Sequence, residues 1–107
     1  MATAPVTKPF KDTPSRTVYR TAGMAGGDDS TPIKGLIQNE VVVVTLEGTV
    51  TSVTPQTRLL DTDAWIPCNA ALAAAGSISL YNVLDQLRIL TTTGTAVIAT
   101  ILVRRRG

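Results

Sequence analysis

The side chains of this 107-residue chain that could do chemistry are few and scattered. It has no histidine, and its single cysteine is Cys68. A lone thiol closes no internal disulfide, and without an imidazole to take its proton it reads as a small apolar residue following Trp65-Ile66-Pro67. Asp61-Thr62-Asp63 is the one local carboxylate pair. Calcium asks for about six to eight oxygens, and here no turn glycine or downstream bidentate glutamate follows. The two aspartates read as turn residues that bond their own backbone. Glu40, Glu47 and Asp85 stand apart, so no opposed acid pair is available for glycosidic or general acid–base work. No catalytic, cofactor-binding or metal-ligating residue is assigned.

The sharpest charged feature is the basic terminus Arg104, Arg105 and Arg106. Guanidinium groups bind phosphates or carboxylates in bidentate fashion, which opens a nucleic-acid reading. Against it, the chain lacks broad basic coverage and stacking aromatics, so nucleic acid is not the expected partner. The same arginines also keep a terminal strand from pairing with a stray chain. Net charge is only +2. Residues 1–35 hold Lys8, Lys11, Arg16, Arg20 and Lys34 against Asp12, Asp28 and Asp29, while residues 36–107 are balanced. The first segment lacks the apolar run of a signal peptide, and Val41 to Val44 is far too short to span a bilayer, so no membrane association is expected.

The elements that must position these residues are strands. Val, Ile and Thr are stiff at χ1 and pack well on a pleated surface, and they dominate residues 36–103. The expected fold is an all-β sandwich or small barrel over residues 36–107, preceded by an extended arm over residues 1–35. Proline at 5, 9, 14 and 32 and glycine at 23, 26, 27 and 35 argue against helix in that arm, with a short strand possible at Thr17 to Arg20. The arm carries Phe10 and Tyr19, two of the four aromatic residues. Rings of this kind anchor a segment, so Phe10, Arg16, Tyr19 and Arg20 are expected to contact a neighbouring surface.

In the body, residues 40–46 and 49–54 read as strands separated by Glu47-Gly48, a hairpin turn or a glycine bulge. Short strands flank Asp61-Thr62-Asp63, and residues 69–75 read as a short helical turn closed by Gly76. Residues 79–90 suit a strand with a turn at 82–85, although Leu80, Val83, Leu84 and Leu87 also fall at helical spacing. Residues 87–91 and 95–103 are expected to form a hairpin around Thr92-Thr93-Gly94, with Ile89 facing Val97 and Leu87 facing Ala99. Leu90, Ile98 and Leu102 occupy the reverse face. That face is apolar enough to be buried between copies, so a homo-oligomer is expected. Trp65 reads as the core's single large plug.

The sets Trp65-Ile66-Pro67, Gly76 to Leu80, Asp85 to Ile89 and Thr93 to Val97 give the body its resemblance. It resembles the small β-sandwich virion proteins of tailed bacteriophages, particularly capsid decoration or cement proteins. The resemblance implies a non-enzymatic virion protein, assembled in the host cytoplasm, that binds the major capsid protein or other virion proteins. Other virion roles (a tail, connector or fibre module) and a nucleic-acid-binding module using the basic termini are the alternatives.

Overall fold

The computed structural model describes residues 3–7, 16–36 and 41–104, with Arg16 and Arg104 described by backbone alone. It is all-β, as expected from the sequence, with no helix among the described residues. Two long antiparallel strands form its spine. These are β5 (Val42–Arg58) and β8 (Gln86–Arg104), paired from Val42↔Val103 to Arg58↔Gln86. Short strands line both outer edges of this ribbon. Beside β8 lie β3 (Arg16–Thr21) and β4 (Asp29–Ser30). Beside β5 lie β7 (Gly76–Leu80) and β6 (Ile66–Pro67). At the margins, β1 (Thr3–Ala4) pairs with β4, and β2 (Val6–Thr7) pairs with β3.

Period-two alternation decides which side faces the core. On β8, Leu87, Ile89, Val97, Ala99, Ile101 and Val103 are buried, and on β5 so are Val42, Val44, Leu46 and Val53. The ribbon bends at its middle. Register shifts fall between Glu47 and Thr49 and between Val50 and Val53, and Gly48 takes φ +94°. Opposite it, Ala96 is the one non-glycine residue in the left-handed region among the described residues, at φ +52°. A Cβ on Gly48 would lie 2.2 Å from the Ala96 carbonyl oxygen, so only glycine permits the strands to approach here. The two halves of the sheet thus fold toward each other around one aliphatic core.

Three sequence expectations are corrected and one alternative is resolved. The hairpin at residues 92–94 is absent: β8 runs straight through, Ile89 pairs with Pro55, and Val97 bridges Met24. Of the two readings for Glu47-Gly48, the bulge holds. Residues 69–75 form no helical turn; Leu72 instead exchanges both backbone hydrogen bonds with Val53. Pro67 and Gly76 leave that window too short to repay helix nucleation. Trp65 is half-buried rather than a core plug.

Residues 79–90 divide between the end of β7, a connection at 81–85 and the start of β8. Most of the described part of residues 1–35 orders on the chain's own β8. Met24 and Ile33, both buried, add to the core. Their backbones hydrogen-bond Val97 and Leu87 respectively.

Candidate functional site

Three regions outside the core hold the side chains with functional potential. The first is a polar cluster on the outward side of the β5–β8 ribbon, where Arg58 pairs with Gln86 and Gln56 with Arg88. Arg58 Nε donates to Gln86 Oε1 at 2.7 Å, and Arg88 Nε donates to Gln56 Oε1 at 2.8 Å. Arg88 Nη1 also reaches Asp29 Oδ2 at 3.0 Å. Trp65 lies against both guanidinium groups, its ring centre 4.3 Å from that of Arg58 and 4.7 Å from that of Arg88. Here lies the reason the tryptophan left the core, since cations on a ring face replace aliphatic neighbours. Burial lowers the affinity of Arg88 for its proton, the Asp29 charge opposes that shift, and neighbouring Arg58 adds to it.

The β5–β6 turn closes this cluster. Asp63 Oδ2 accepts from the Leu60 backbone N–H at 3.0 Å, the self-bonded turn that the sequence implied. Asp61 Oδ1 accepts from Gln86 Nε2 at 2.6 Å and pairs with Lys34 Nζ at 3.1 Å. These hydrogen bonds, with the Lys34 and Arg58 charges, hold the Asp61 carboxyl below its ordinary range. Every charged member is therefore engaged by another, and the cluster works as a clamp between β4, β5 and β8. Among the described residues no group of three or more His, Cys, Asp or Glu side chains could hold a metal ion. Cys68 is partly buried beside the core, and burial pushes its thiol up to about 11. At neutral pH it is a protonated, weakly reactive group.

The second region is the apolar rim of the same turn. Leu59, Leu60 and Ile66 are 52%, 58% and 50% exposed, and Tyr81, in the β7–β8 connection, is 64% exposed. Sequence reasoning missed this rim. Its signal was the Leu-Leu pair directly before an Asp-Thr-Asp turn, a place where side chains have nothing to pack against.

The third region is the outer face of the sheet formed by β3, β8, β5 and β7. Pairing sets Val18, Leu102, Val43 and Ser79 in one row and Arg20, Thr100, Thr45 and Ser77 in the next, followed by Ile98 beside Glu47. Leu102 and Ile98 lie on this face, half-buried. Leu90 does not join them. It sits eight residues from Ile98, beyond the bend, between Asp29 and Thr54.

Of the expected arm contacts, Tyr19 pairs with the buried Ile101 and packs against the core. Arg20 is exposed, and its Nε donates to Thr100 Oγ1 at 3.3 Å. Arg16 is seen only as the backbone partner of Arg104. Phe10, Arg105 and Arg106 lie outside the described residues.

No family model and no curated protein matches the chain. Solved structures do resemble it. A cupin domain from Bordetella pertussis Tohama I superposes with a TM-score of 0.58 at 10% identity, over 99% of this chain and 96% of that one. The cupin domain of Cnp3 from Schizosaccharomyces pombe gives 0.57 at 10% identity, covering 94% of this chain and 64% of that one. An RmlC-like cupin protein from Desulfovibrio desulfuricans gives 0.50 at 15% identity, with 94% and 81% covered. At such low identity the likeness shows a shared fold and nothing about activity.

Proposed function

We propose that this chain is a non-enzymatic structural protein of a virion, decorating or cementing a bacteriophage capsid in particles assembled in the host cytoplasm. The observation that carries this reading is how the chain distributes its side chains. Between the two halves of the sheet pack the aliphatic side chains of Met24, Val44, Leu46, Leu87, Ile89, Val97 and Ile101, none of which can donate or take a proton. The large apolar groups left over are displayed outward at Leu59, Leu60, Ile66 and Tyr81. A filled interior with an adhesive rim suits holding more than turnover. The partner is the major capsid protein or another shell protein, and repetition over many copies compensates for the small area each rim buries.

Co-sedimentation with purified phage heads tests this. Leu60→Asp and Ile66→Asp change exposed side chains and leave the core alone, so both variants should fold yet bind at least about tenfold more weakly. Equal binding by wild type and both variants, or no binding to shells at tens of micromolar protein, counts against the proposal.

A second reading draws on one register observation. Arg16 pairs with Arg104, which sets one basic residue from each end of the chain side by side in backbone register. A DNA mobility shift that survives about 150 mM salt would favour this nucleic-acid reading.

A further inference from the structure

The outer face of β3, β8, β5 and β7 is apolar along the Leu102–Val43 row and again at Ile98, with a hydroxyl row between, and it carries opposite charges on its two flanks. Leu102, Val43 and Ile98 are half-buried, while Val18 is already 9% exposed. The hydroxyls between them are engaged within the sheet: Thr45 Oγ1 and Ser77 Oγ are 2.8 Å apart, and Thr100 Oγ1 accepts from Arg20. Covering this row would therefore strand few polar groups.

Arg20 and Glu47 flank it on β3 and β5, with β8 between them. Two strand spacings and one two-residue step separate their backbones by about 12 Å. Both are exposed. Among the described residues the Arg20 guanidinium is engaged only through its Nε, and the Glu47 carboxylate has no hydrogen-bond or ion-pair partner.

We infer that this face is a self-association surface, on which Arg20 of each copy meets Glu47 of a second copy across the Leu102–Ile98 stripe. The argument is complementarity. An apolar strip with one cation on one side and one anion on the other matches itself after a two-fold rotation, which is the requirement of an isologous interface. Four strands by about six residues of β8 cover about 400 Å², well below the roughly 800 Å² per partner of a tight complex. The association is accordingly weak and concentration-dependent. It stands independently of what the apolar rim binds.

The test is sedimentation velocity over a concentration series, with circular dichroism as the control for folding. Arg20→Glu sets two acids against each other at both symmetric contacts, and Glu47→Arg sets two arginines. Each variant alone should self-associate at least about tenfold more weakly than wild type. Mixing the two variants restores opposite charges at both contacts, so the mixture should recover the wild-type dimer fraction. Rising salt should weaken the wild type. A strict monomer at millimolar concentration overturns the inference. So does association that neither reversal changes, or a mixture that behaves as the sum of its parts. Because the readout needs no shell, failure here leaves the capsid proposal to its own experiment.

Discussion

Gly48 is the position where one atom decides most. Its φ of +94° and the 2.2 Å approach of the Ala96 carbonyl to a would-be Cβ leave no room on either count. Gly48→Ala is expected to cost on the order of 3 kcal/mol, from left-handed strain and a backbone that must move apart. A fall in the urea midpoint checks this, and an unchanged midpoint would show that the bulge relaxes freely. Residue-level chemistry explains what was and was not legible at this scale. Asp63 and the partly buried thiol behave as their types suggest, whereas Asp61 bonds the Gln86 and Lys34 side chains instead of its own backbone. Trp65 does not, because its setting depends on Arg58 and Arg88 from two different strands, and no local pattern announces that meeting.

At the scale of elements, the β5–β6 turn is tied to the start of β8 through Asp61. Its carboxyl is held down by the Gln86 hydrogen bond first, then by Lys34, with a smaller contribution from Arg58. A carboxyl depressed on folding contributes stability above its unfolded value, lost as pH falls through the folded one. The clamp should thus loosen below about pH 4, and Asp61→Asn should flatten the acid side of the melting-temperature profile while leaving pH 6–8 slopes alone. The group is largely exposed, so the change should be small. An acid limb identical in the variant would show that the turn is held by Asp63 and the backbone instead.

The same scale holds the clearest misreading of the sequence. Thr92-Thr93-Gly94 looks like a hairpin turn, yet the inside residues of a hairpin and of an uninterrupted strand are the same ones. Odd positions from Leu87 to Thr91 and from Val97 to Val103 face inward either way. Alternation fixes a face and is blind to whether the chain reverses between two segments. What replaced the turn is a mid-strand bend, marked in the sequence only by Gly48 and visible only once its partner Ala96 is known.

For the whole molecule, almost all ordering runs through pairings distant in sequence, such as Thr17↔Val103 and Val42↔Val103. Composition made the all-β class legible, whereas the order of the strands rests on these distant pairings and was not. They also bind residues 3–7 and 16–36 to the rest. Removing residues 1–35 would delete β1 to β4 and, with them, Met24 and Ile33 from the core. Each such loss costs about 2–5 kcal/mol, so together they rival the roughly 5–15 kcal/mol that hold a domain folded. The truncated protein should lack a cooperative thermal transition by circular dichroism. A sharp melt near that of the full chain would instead mark residues 36–107 as self-sufficient.

The path of β8 also governs how the protein would answer a mechanical load. Over residues 100–103 it is gripped on one edge by β3 and on the other by β5, both antiparallel to it. A pull along its axis near residue 104 loads two ladders in shear at once, so their hydrogen bonds must fail together instead of unzipping singly. Such a joint is built to hold until it lets go as a unit.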